Sequence, residues 1–67
     1  NMAQSKESLL KELLRQRIKT SILNMELHAV GGEEYGFFYG EKVAYEYVLE
    51  MLENPGLVIC HLKDGDD

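Results

Sequence analysis

From Ser8 to about Val30 the chain runs without glycine or proline, and Leu, Lys, Glu, Arg and Gln dominate. That composition predicts a helix over about 6–30, with Ser5 as its N-cap and Glu7 in the first turn, where the helix dipole favours a negative charge. At 100° per residue, Leu10, Leu14, Ile18, Ile22, Met25 and Ala29 gather on one face, with Ser21 and His28 at its edge. Arg15, Lys19, Glu12 and Glu26 fall elsewhere. Leu9, Leu13, Leu23 and Leu27 lie outside the main stripe, so one partner helix cannot cover both apolar sets.

Gly31-Gly32 closes this helix, since glycine supplies the left-handed cap. Glu33-Glu34 suit the first turn of a second helix over about 34–53, which Asn54-Pro55-Gly56 stops. Gly36 and Gly40 weaken its start, which could slip toward Phe38. Phe37, Ala44, Tyr45, Val48, Met51 and Leu52 share a broad arc, widened by Phe38, Tyr47 and Leu49, with Glu46, Glu50 and Glu53 as a polar ridge opposite. Gly36, Gly40 and Ala44 are spaced by four, which predicts close approach of the two helix backbones along that row. The rival reading is a ligand space beside Tyr35, Tyr39 and Tyr47. After the turn, Leu57 to Leu62 is rich in β-branched and apolar residues and reads as a strand. A lone strand has unpaired backbone groups, which invites pairing with another chain. Lys63 to Asp67 reads as a charged tail that frays.

The expected fold is therefore mainly α: one antiparallel two-helix hairpin domain over residues 1–67 with a short C-terminal strand. A 67-residue chain buries little more than half of its unfolded surface. Its single cysteine rules out an internal disulfide and a four-cysteine zinc site. The remaining device for stabilising so small a domain is self-association. The surplus leucines, the wide second arc and the lone strand all predict a homodimer or larger assembly, in a four-helix arrangement. The expected interface residues are Leu9, Leu13, Leu23, Leu27, Phe38, Tyr47, Val58 and Cys60.

Charge refines the picture of partners. Seven basic and twelve acidic residues give a net charge of −5. The basic residues are concentrated before Gly31, whereas Lys42 and Lys63 are the only ones after it. An acidic chain speaks against nucleic acid as the principal ligand. No apolar run reaches the roughly 20 residues of a bilayer span, no signal peptide is expected, and a cytoplasmic location fits the single cysteine. Asn1 cannot initiate translation, so Met2 is the expected natural start.

Catalytic and metal chemistry find little support. Cys60 and His61 are adjacent, which on a strand sends them to opposite faces, and Cys60 reads as a small buried hydrophobe. His28, His61 and Cys60 lack zinc-ligand spacing. Asp64, Asp66 and Asp67 resemble a fragment of a calcium loop without its closing glutamate. Gly36 to Lys42 has glycines and a lysine but not the spacing of a phosphate-binding loop. No cofactor, metal or catalytic residue is expected, and the protein reads as a non-enzyme. Lys11, Arg15 and Lys19 form a basic line that could grip an anion, or simply pair with neighbouring acids.

The stretch Glu33 to Glu53, EEYGFFYGEKVAYEYVLEMLE, resembles the second helix of small helical-hairpin proteins encoded by phages and prophages of Gram-positive bacteria. The matching residues are Gly40, Ala44-Tyr45 and Val48-Leu49. The resemblance implies a phage or prophage genomic context and not an activity; such early phage proteins commonly bind and disable a host protein, including defence enzymes, which would place the chain in the host cytoplasm. The rivals are a sponge for small nucleotides built from the tyrosines and the basic line, and a nucleic-acid-associated protein using Lys11, Arg15 and Lys19.

Overall fold

The computed structural model describes residues 4–64 of the chain, with the side chains of His61, Lys63 and Asp64 excepted. The expected start at Met2, the end of the acidic tail, and Asp66 and Asp67 of the calcium-loop fragment lie outside the described residues, whereas Lys63 and Asp64, expected to fray, are helical. Three helices follow one another: α1 (Lys6–Glu26), α2 (Glu33–Glu53) and α3 (Pro55–Asp64). The mainly helical hairpin expected from the sequence is present. The C-terminal strand is not.

Ser5 caps α1 as the sequence implies: its hydroxyl oxygen accepts the backbone N–H of Ser8 at 3.0 Å, and Glu7 lies in the first turn. The helix ends at Glu26, about a turn earlier than the glycine pair suggests. Just before that end, Asn24 turns its side-chain amide back onto the Thr20 carbonyl at 3.0 Å. Asparagine is a weak helix former because it competes with the backbone in this way. Leu27 and His28 then donate to the carbonyls of Asn24 and Met25 in a closing turn. Gly31 takes φ +88°, the one positive φ among the described residues, and this reverses the chain. α2 begins at Glu33, with Glu33 and Glu34 in its first turn, and continues without interruption through Gly36 and Gly40.

Asn54 adopts φ −134° and ψ 77°. The proline ring that follows disfavours the helical region for its neighbour, and proline itself suits the first position of a new helix. The segment 57–62 is thus helical, correcting the strand reading. A strand with no partner in its own chain leaves every backbone N–H and C=O unpaired; a helix satisfies them within the segment despite Val58 and Ile59.

α1 and α2 pack antiparallel. Arg15 Nη2 meets Glu53 Oε2 at 2.8 Å, the Ser21 hydroxyl donates to Glu41 Oε1 at 3.3 Å, and the His28 ring stacks on Phe38 with centroids 5.8 Å apart. Partner numbers fall on one helix as they rise on the other, which fixes the hairpin register. The inner face of α1 holds Leu14 and Ser21, both buried, flanked by half-buried Ile18, Ile22 and Met25. From α2 the half-buried Phe38, Tyr45, Leu49 and Leu52 occupy the stripe facing them. Of the core residues that the hairpin pattern suggests, Ala44 and Val48 are exposed. α2 turns its large aromatic and leucine stripe toward α1, because those side chains bury more apolar area than the Gly–Ala row.

The Gly36, Gly40, Ala44 row consequently does not mediate close helix approach within the hairpin. All three are exposed, and a methyl group added at Gly36 or Gly40 would meet nothing within 4 Å. Among the described residues α3 packs only against α2. The Cα extents are 44 × 38 × 11 Å, a single layer of helices. A radius of gyration of 15.1 Å compares with about 11 Å for a compact domain of this length.

Two stability measurements check this packing. Leu14→Ala should lower the unfolding free energy by about 2–3 kcal/mol, because it empties the best-buried apolar position of the seam. Gly40→Ala should raise it by about 0.5–1 kcal/mol, through helix propensity in open space. Urea titration followed by circular dichroism reads both, and a destabilising Gly40→Ala would restore the close approach that the structure removes.

Candidate interaction surface

With one seam closed, each long helix keeps a second face. On α1 and its C-cap residue Leu27 the leucines outside the inner stripe are all exposed: Leu9 at 49%, Leu13 at 50%, Leu23 at 61% and Leu27 at 77%. On α2 the outward face carries Gly36, Phe37, Gly40, Val43, Ala44 and Val48, again all exposed. Tyr47 lies in the same arc with about half of its surface accessible. The acids Glu46, Glu50 and Glu53 flank this face on one side and Glu41 on the other, with no charge between them from Gly36 to Met51.

Not every expected interface residue lies outside. Phe38 is half-buried at the loop end of the hairpin, stacked on His28 and edge-on to Phe37 with centroids 5.1 Å apart. It closes the inner seam. Val58 is 40% exposed and Cys60 is a free, exposed thiol, but both sit on a helix and not on a strand. The expectation of a buried Cys60 is therefore corrected. A single-layer fold offers α3 only α2 to lean on, so most of its apolar surface faces outward. Val43, to which the sequence pattern above assigns no role, completes the uncharged face of α2; its position 160° from Tyr45 at 100° per residue carries that signal.

The anion-binding line is largely neutralised. Lys11 Nζ pairs with Glu7 Oε2 at 3.1 Å and Arg15 with Glu53 at 2.8 Å, which leaves Lys19 alone without a described ion pair. The described depression beside this line holds about 350 Å³ and is lined by Ser5, Glu7, Ser8, Lys11 and Arg15. A carboxylate within it opposes anion binding. The tyrosines do not converge there. Tyr35 is half-buried on the flank of the seam, and the Tyr39 ring has Lys42 Nζ 5.5 Å from its centroid, while Lys42 also pairs with Glu46 at 3.2 Å.

Among the described residues no group of three or more His, Cys, Asp and Glu side chains is placed to hold a metal ion. No described helix is long and apolar enough to cross a membrane. Comparison with protein-family models, with curated proteins and with solved structures finds no match.

Adding millimolar ATP or inorganic phosphate should leave the thermal midpoint unchanged, since a ligand that binds the folded chain must raise it by mass action. A concentration-dependent rise would return Lys11, Arg15 and Lys19 to the role of an anion site.

Proposed function

We propose that this chain is a non-enzymatic, self-associating helical protein that acts by binding another protein and regulating or inhibiting it. The observation that carries the reading is the uncharged outer face of α2. A helix that belongs to a finished monomer has one apolar stripe and a charged back. α2 has its apolar stripe against α1 and a second uncharged face turned outward. Soluble proteins seldom expose contiguous apolar surface of that kind except where something docks.

The resemblance to small phage and prophage proteins fits the same face. Gly40, Ala44 and Val48 of the shared pattern point outward, whereas Tyr45 and half-buried Leu49 belong to the hairpin seam. The first three are thus free to meet a partner, and the other two hold the helix that presents them. A host protein in the cytoplasm of a Gram-positive bacterium is the target this reading assigns, with anti-defence activity as its biological sense. The flanking glutamates select a partner surface whose apolar ridge is bordered by lysine or arginine.

Tagged chain incubated with host lysate should retain one such protein, and Gly40→Glu or Val43→Glu should release it while circular dichroism shows the helices intact. An unchanged set of captured proteins with both variants would reject α2 as the docking face.

A further inference from the structure

Self-association is part of the reading above, and the geometry of α1 specifies its form. Leu9, Leu13, Gln16, Thr20, Leu23 and Leu27 are separated by four, three, four, three and four residues. That alternation is the 3.5-residue period of a two-stranded coiled coil, in which each such residue inserts between residues of a facing helix. All six are exposed. At 100° per residue their mean direction lies roughly 150° around the helix from the inner stripe that meets α2. A second helix can therefore lie along this row without disturbing the hairpin.

We propose that this row is the seam of a parallel α1–α1 coiled coil between two copies of the chain. Two features identify a second copy as the occupant. The first is surface area. The chain exposes 5292 Å², whereas a compact folded chain of its mass exposes about 4,300 Å². The surplus of roughly 1,000 Å², which the outer faces of α1, α2 and α3 share, is large enough to include the approximately 800 Å² that each partner buries in a standard interface.

The second is charge. In a parallel pair, the residue just before a core position on one helix meets the residue just after a core position on the other, five residues further on. Glu12 stands before Leu13, and Arg17 follows Gln16. Both side chains are exposed, and neither takes part in a described ion pair or hydrogen bond. A parallel dimer makes two symmetric Glu12–Arg17 pairs, one on each side. The antiparallel arrangement also matches leucine with leucine, Leu9 opposite Leu27 and Leu13 opposite Leu23. It would, however, set Arg17 against Arg17 and Lys19 against Lys19 near the twofold axis, where like charges repel. Gln16 and Thr20, at the centre of the seam, each face their own copy. Polar residues at such positions cost stability but fix register and strand number. The dimer then has the α1 helices at its centre and the outer faces of both α2 helices available.

The test uses single cysteines in a Cys60→Ser background. Thr20→Cys and, independently, Leu13→Cys place a thiol opposite its own copy only in the parallel register, within the Cα separation of about 4.4–6.8 Å that a disulfide requires. Under mild oxidation each should give a covalent dimer on the order of tenfold or more faster than Glu50→Cys on α2, because association raises the local thiol concentration. Glu12→Arg should weaken the dimer and Glu12→Arg with Arg17→Glu should restore it. Sedimentation of the unmodified chain separates the outcomes. Dimer mass with no preferential cross-linking at 13 or 20, or with preferential Leu13→Cys/Leu23→Cys cross-linking, would overturn the parallel seam and leave self-association standing. Monomer mass would overturn both.

Discussion

Two helices lying side by side share a single inner seam, and each can bury only the part of its circumference that faces the other. That constraint governs this chain. α1 places Leu14 and Ser21 at the seam, α2 answers with Phe38, Tyr45, Leu49 and Leu52, and the hairpin has no third layer above or below it. The single-layer dimensions of 44 × 38 × 11 Å follow, as do the exposed leucines of α1 and the uncharged back of α2. The Arg15–Glu53 pair fixes the open end of the hairpin, and the His28–Phe38 stack fixes the looped end. Neither adds much core. With both ion-pair partners about half accessible, water screens most of their attraction.

Much of the fold is legible in the sequence because the relevant signals are local. Ser5 as a cap, the uninterrupted helix formers after it, the reversal at Gly31 and the stop at Asn54-Pro55 each depend on a few neighbouring residues. The errors occur where the deciding interaction is tertiary. Leu57 to Leu62 has strand propensity, but with no strand to pair with, backbone satisfaction favours a helix. Ala44 and Val48 share an arc with Tyr45, yet packing chose the stripe with the larger side chains, so the glycine row faces away from α1. The surplus of Leu9, Leu13, Leu23 and Leu27 could be read directly from spacing, since a helix presents its residues at fixed angles whatever surrounds it. What the pattern could not say is which α2 face would be left over.

The two leftover faces lie on different helices and differ in chemistry. That of α1 is leucine-rich, interrupted by Gln16 and Thr20 and bordered by charges of both signs. That of α2 is uncharged, small-residue-rich and bordered by acids. The first has the marks of a surface matched to itself, where register and ion pairing select the partner. The second has the marks of a surface matched to something else, with acidic borders that repel a second acidic copy. In the proposed arrangement its own copy covers the face of α1, and α2 is left for a basic-edged target.

The central claim is that the hairpin is incomplete alone, and its most direct test is the dependence of folding on concentration. Helicity and thermal midpoint, followed by circular dichroism from low micromolar to near-millimolar chain, should both rise with concentration, because association and folding are linked by mass action. A midpoint and helix content that stay constant across that range, in a species sedimenting as a 7.7 kDa monomer, would contradict the account.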